Sequence, residues 1–164
     1  GIGREFVKIS KGLFKNIICY DPFVGKEEMK NLQVDKVDFD EIANSSDFLV
    51  ILCDLNEKTR GMIDSTFLNK MKSSSYLINL SRGPVVNEND LIASLKQNKI
   101  SGAGLDVMTN EPIEENNELL NLKNTILTPH SLCWTDECFD SIATEAITSI
   151  LNYFNNKIII NRVV

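Results

Sequence analysis

The sequence predicts an α/β fold built on a parallel sheet, and two observations carry that reading. Short β-rich runs alternate with helical stretches along the chain, at the pitch of βαβ units. The β-rich runs are continuous in hydrophobicity rather than alternating, as strands covered on both faces tend to be. Composition agrees with a packed globular domain: of 164 residues, 43% are hydrophobic and 24% charged. That balance excludes a disordered tail and a disulfide miniprotein. A net charge of −6 with no basic cluster argues against a nucleic-acid partner. The apolar runs are too short to cross a bilayer, so no membrane partner is expected. Four cysteines (Cys19, Cys53, Cys133 and Cys138) form no CxxC pair. They are read as reduced, mostly buried thiols of a cytoplasmic protein, and no metal site is expected.

The elements follow in chain order. Gly1-Ile2-Gly3-Arg4 makes a glycine-rich turn running into a helix over 4–14. Such a turn lets backbone N–H groups and the helix dipole face a pyrophosphate. Taking Gly1 and Gly3 as the first two glycines of GxGxxG would put Phe6 at the sixth position, off the pattern. Gly3 is therefore read as the third glycine, where only a small residue lets helix and strand pack closely. A strand over 16–20 comes next and ends on Asp21. A carboxylate there, about twenty residues past the turn, accepts hydrogen bonds from both ribose hydroxyls of an adenosine. It repels a 2′-phosphate, which favours NAD over NADP. Asp21-Pro22 is also an ordinary strand ending, so the turn and the acid weigh together rather than singly.

Further strands are predicted over 48–53, 76–80, 102–107 and 125–127, and helices over 65–71, 88–97 and 135–154. Asn87 before Glu88-Asn89-Asp90 reads as an N-cap with acids in the first turn. The sum is a Rossmann-type doubly wound parallel sheet that lacks its first, central strand in this chain. With Gly3 as the third glycine, that strand lies upstream of Gly1. In the order 3-2-1-4-5-6 it sits between the strands at 16–20 and 48–53, which are then expected not to pair with each other. The chain alone is accordingly expected not to be an independently stable enzyme. Residues 1–150 are read as the dinucleotide-binding domain, incomplete at its start, and 151–164 as a segment returning toward a second domain.

Three ionisable groups stand at or just past strand ends, where open α/β sheets bind ligands. Arg82 follows Asn79-Leu80-Ser81, Asp106 closes Gly102-Ala103-Gly104-Leu105, and His130 ends Thr128-Pro129. Glu111-Pro112 lies between the last two. Each has an ordinary role when taken alone: a surface turn, a helix cap, a solvated loop residue, a satisfied loop histidine. As an ordered set they point to chemistry.

That set resembles the D-isomer-specific 2-hydroxyacid dehydrogenases. The family carries an N-x-[AS]-R-G turn, an L-D-V aspartate, an E-P glutamate and a T-P-H histidine. Here they stand as Asn79-Leu80-Ser81-Arg82-Gly83, Leu105-Asp106-Val107, Glu111-Pro112 and Thr128-Pro129-His130. The resemblance implies that His130 is the acid/base, Glu111 its carboxylate partner and Arg82 the guanidinium that binds substrate. It further implies NAD as cofactor, bordered by Gly1, Ile2, Asp21, Asp54, Thr59, Leu80, Ser81, Arg82, Asp106 and His130. A small 2-keto or 2-hydroxy acid substrate and a homodimer follow from the same likeness. Two departures stand out. Leu52-Cys53-Asp54-Leu55 replaces the family's His-x-Pro-Leu, although Thr59 is retained, and Trp134 occupies a stretch where small residues are usual. Trp134 reads equally as a wall of the substrate pocket or as a core residue of the last helix. Formate dehydrogenase, a related type with glutamine beside its histidine, is disfavoured by Glu111. A dinucleotide-sensing corepressor, or a binding module without its own catalysis, stays open.

Overall fold

The computed structural model describes residues 1–159 and places six strands and six α-helices among them. The helices are α1 (Ile2–Ser10), α2 (Lys26–Asn31), α3 (Phe39–Ser45), α4 (Ser65–Leu68), α5 (Glu88–Lys96) and α6 (Asp136–Phe154). The strands are β1 (Ile18–Cys19), β2 (Asp35–Lys36), β3 (Phe48–Ile51), β4 (Tyr76–Asn79), β5 (Gly102–Leu105) and β6 (Thr125–Leu127). All five predicted strands and all four predicted helices are present; most are trimmed by a few residues, and α1 begins at Ile2, two residues before its predicted start. Side-chain caps set four helix starts: Asp38, Asp64, Asn87 and Thr135 each accept a first-turn N–H, of Glu41, Phe67, Asp90 and Cys138 respectively. The Asn87 cap is the one expected.

Every strand pair is parallel, in two separate sheets ordered β1-β2 and β3-β4-β5-β6. β1 and β3 share no ladder, as the placement of Gly3 requires. Aromatic contacts link the two sheets instead. Phe14 lies 5.8 Å from Phe48 at the start of β3, and Tyr20, just past β1, lies 5.2 Å from Phe39 of α3. Phe39 in turn sits 4.7 Å from Phe67 of α4.

Three elements escaped the sequence reading: α2, β2 and α3. Their segments are polar and short, each of the two helices burying a single side chain (Met29 and Ala43) and β2 being two residues long. No hydrophobic period can show in so few apolar positions.

Burial is uneven between the two faces of the strands. Leu49, Ile51, Leu77, Ala103 and Leu105 point into one core with Phe67 and Leu68 of α4 and with Leu91 and Leu95 of α5. Val50, Ile78 and Gly104 on the opposite face are only half-buried, and Ile126 is 73% exposed. The core helices cover one face, and continuous hydrophobicity alone did not reveal that. Cys19, Cys53 and Cys138 are half-buried and Cys133 is exposed, so the thiols are free as expected but less buried than expected.

Residues Gly1–Pro129 form one compact unit, and His130 opens a second. Within the second, α6 runs unbroken across position 150, where the sequence suggested a boundary. Residues 160–164 of the expected returning segment lie outside the described residues. Among the described residues no helix is long and apolar enough to cross a membrane.

At the amino end of the larger sheet, Phe48 and Tyr76 pair in register and stack at 5.5 Å. Gly102 sits opposite Tyr76, and a Cβ there would lie 3.2 Å from the Tyr76 ring and 2.7 Å from the Asn124 carbonyl. The Asn124 carbonyl, with the ring behind it, therefore occupies the space that a side chain at 102 would need. Gly102→Ala is expected to cost about 1–3 kcal/mol, as overpacking does, read as a lower urea midpoint. An unchanged midpoint would show that the carbonyl and the ring both move aside freely.

Candidate active site

The strands β3 to β6 end on one rung, where Ile51, Asn79, Leu105 and Leu127 are register partners. The ladder continues one residue beyond it. The N–H groups of Leu80, Asp106 and Thr128 donate to the carbonyls of Ile51, Asn79 and Leu105 at 3.3, 3.1 and 3.0 Å. The segments bearing Arg82, Asp106 and His130 thus leave the sheet from the same edge.

Asn79, 1% exposed, builds the turn that carries Arg82. Its Oδ1 accepts from the N–H and hydroxyl of Ser81 at 3.1 and 3.0 Å, and its Nδ2 donates to the Arg82 carbonyl at 3.0 Å. The exposed Arg82 side chain donates through Nη1 to the Ser81 carbonyl at 2.7 Å. Gly83 then passes so close to the next strand's exit that a Cβ would lie 1.9 Å from the Met108 carbonyl oxygen. No side chain fits there, which is a structural reason for glycine after the arginine.

Asp106 is buried beneath this edge, and its Oδ1 accepts from the Thr128 hydroxyl at 2.5 Å. The loop beyond turns back on itself: Glu111, on the surface, accepts the Met108 N–H through Oε1 at 3.0 Å. The structure therefore brings Arg82, Asp106 and Glu111 to one end of the larger sheet. His130, with a positive φ of 53°, heads the second unit three positions past β6. Trp134 precedes the Thr135 cap of α6 and is 63% exposed, so it is not a core residue of that helix.

At the smaller sheet, Asp21 folds into a tight turn in which Oδ1 accepts the Phe23 N–H at 2.8 Å. Burial pushes the Cys53 thiol above its ordinary range, and the nearby carboxylates of Asp54 and Asp21 add to that push. Burial also raises Cys19, again helped by Asp21 and opposed by Lys36. Asp54 is exposed, and its carbonyl accepts the Thr59 hydroxyl at 2.7 Å, closing the loop between them. Gly1 caps α1 through its backbone without a side-chain bond, and Ile2 is the helix's first residue. A Cβ at Gly3 would meet nothing within 4 Å, so the expected packing reason for that glycine has no counterpart among the described residues. Leu80 is half-buried and Ser81 buried, where Asn79 holds the turn.

The sequence reading quoted Asn79 and Gly83 as motif letters but gave them no role. Their contribution is a backbone shape, which only the fold displays.

A parallel α/β sheet with an acid ending its first strand and polar groups along the carboxyl edge defines a dinucleotide-binding domain of the Rossmann type. The chain belongs to the D-isomer specific 2-hydroxyacid dehydrogenases, whose NAD binding domain matches residues 1–131. It is 35% identical over 151 residues to D-3-phosphoglycerate dehydrogenase of Archaeoglobus fulgidus, covering 92% of this chain and 29% of that protein. It is 44% identical over 104 residues to human glyoxylate reductase/hydroxypyruvate reductase, covering 63% of this chain and 32% of that protein. The crystal structure of the NAD complex of a D-isomer specific 2-hydroxyacid dehydrogenase from Lactobacillus delbrueckii ssp. bulgaricus superposes with a TM-score of 0.87 at 28% identity. That match covers 96% of this chain and 51% of the other. The chain thus spans about half or less of the length of these relatives.

The residues present fit NAD at its adenosine end: the first turn of α1 offers backbone N–H groups, and the Asp21 carboxylate stands just past β1 as an acceptor.

The thiols give a direct check on this end of the molecule. Thiolate is the reactive form, and raised pKa values leave less of it near pH 8. Iodoacetamide is expected to label exposed Cys133 well before Cys19 and Cys53, with the lag shrinking as pH rises toward 10. Equal labelling of all three at pH 8 would contradict the burial described.

Proposed function

We propose that the protein transfers hydride between NAD(H) and a small 2-keto/D-2-hydroxy acid pair. The observation that carries this reading is the convergence of Arg82, Asp106 and Glu111 on the carboxyl edge of the sheet, with His130 following the next strand out. When bound, NADH supplies the hydride. Arg82 presents a planar fork that pairs bidentately with the substrate carboxylate and polarises the adjacent ketone. His130 holds a proton at the ring nitrogen facing the carbonyl oxygen and delivers it as the hydride arrives; in the oxidation direction it takes the proton back. Glu111 stabilises the imidazolium and fixes its tautomer. An acid/base group so placed contributes on the order of 10²–10⁴ in rate. Asp106 holds the Thr128 exit that leads to His130, and Leu80 and Ser81 border the nicotinamide side. Gly1, Ile2, Asp21, Asp54 and Thr59 border the pyrophosphate and adenosine.

Glyoxylate and hydroxypyruvate fit best as substrates. The human relative is named for both, and the chain carries no basic cluster to hold a phosphorylated acid. The reading includes a cytoplasmic homodimer; the four free cysteines support the reducing compartment.

The test is NADH and NADPH oxidation by the whole protein against glyoxylate, hydroxypyruvate, pyruvate and 3-phosphohydroxypyruvate. The two unphosphorylated C2 and C3 acids should lead, with kcat/KM for NADH about 10²-fold or more above NADPH, as a charge clash at Asp21 implies. Comparable rates with both cofactors, or no turnover, would contradict it. Glu111→Gln removes the carboxylate that orients the acid/base group, so it should lower kcat by about tenfold or more with the substrate KM within about threefold. An unchanged kcat would take Glu111 out of the acid/base pair.

A further inference from the structure

The first turn of α5 holds two acids that serve other segments rather than their own helix. Asn87 already caps the helix by accepting the Asp90 N–H. Asp90 accepts the Ser65 N–H at the start of α4, at 2.8 Å. Glu88 divides its two oxygens: Oε2 accepts the Thr109 N–H at 3.1 Å, and Oε1 accepts from the Asn117 side chain at 2.8 Å. These partners lie 21 and 29 residues along the chain, on the two sides of Glu111. Glu88 itself follows the Arg82 turn by six positions, joined to it through the short 3₁₀ turn Gly83–Val85. One half-buried carboxylate therefore ties the segment carrying Arg82 to both limbs of the loop carrying Glu111.

We propose that Glu88 is a positioning residue for Glu111, setting through Thr109 and Asn117 where the loop presents the Glu111 carboxylate relative to Arg82. This rests on the reading of Glu111 as the partner of His130. Helix-dipole attraction already accounts for an acid at the start of a helix. It does not account for both oxygens binding a distant loop. The reaction requires Arg82 and the proton-transfer pair to meet one substrate, and misplacement by about 1 Å costs on the order of a hundredfold in rate. A rigid link between the two segments is what such a site needs.

The test is a double-mutant cycle in the whole protein with Glu88→Ala, Glu111→Gln and the pair, reading kcat, KM and NADH affinity. Glu88→Ala is expected to lower kcat by about tenfold or more with the substrate KM within about threefold, as Glu111→Gln does. NADH affinity should stay within about twofold, and the double variant should be no worse than Glu111→Gln alone within about threefold. Losses that multiply in the double variant would overturn the proposal, as would a Glu88→Ala defect confined to KM or NADH binding. If Glu111→Gln itself leaves kcat unchanged, the reading of Glu111 fails, and this proposal with it. Should Glu88→Ala not fold, Glu88→Gln keeps the shape and one accepting oxygen; the same pattern at smaller size is then expected, and its absence overturns the proposal.

Discussion

The candidate site depends on one backbone contact. Where the turn after β4 passes the exit of β5, Gly83 leaves no room for even a methyl group against the Met108 carbonyl. That contact joins the segment bearing Arg82 to the segment bearing Glu111 at closer range than any side-chain pair permits. Asn79 fixes one side of it by binding Ser81 and Arg82 with a single buried amide. A buried amide bonded in this way is worth retaining, because unmaking its bonds costs about 1–3 kcal/mol per stranded group. Glu88 and Glu111 fix the other side through the N–H groups of Thr109 and Met108. The functional side chains are thus spokes on a hub of main-chain hydrogen bonds.

The parallel sheet explains why this hub lies where it does. Four strands ending on one rung send four chain segments out of the same edge, where the ladder stops after one further set of N–H bonds. Side chains such as Asn79 take over that task, and the polar groups needed for chemistry collect in the same place. At the other sheet the same logic operates at longer range. Asp21 ends β1, Asp54 follows β3, and both act on the Cys53 thiol, although the two strands share no ladder.

Much of this was legible in the sequence. β3 to β6 announce themselves as compact runs of Leu, Ile, Val and Tyr, and Asn87 announces α5. Arg82, Asp106 and Glu111 were nameable as an ordered set because motif spacing survives in one dimension. The stretch from Lys26 to Ser45 was not legible, since α2, β2 and α3 expose most of their side chains and leave no period. Nor was the one-sided burial of the sheet, because Val50 and Ile78 are as apolar as Leu49 and Leu77. Asn79, Gly83 and Glu88 escaped for a different reason. Their work is done across contacts of long sequence separation, and Glu88 in particular looks like any acid at a helix start.

The central claim is that Arg82, Glu111 and His130 act on one substrate. A crystal structure of the whole protein with NADH and oxamate, an unreactive isostere of a 2-keto acid, tests it most directly. The account predicts the oxamate carboxylate on the Arg82 guanidinium, its carbonyl oxygen facing the His130 ring, and the Glu111 carboxylate within about 2.6–3.2 Å of the other ring nitrogen. Oxamate bound away from Arg82, or Glu111 and His130 facing apart in that complex, would contradict it.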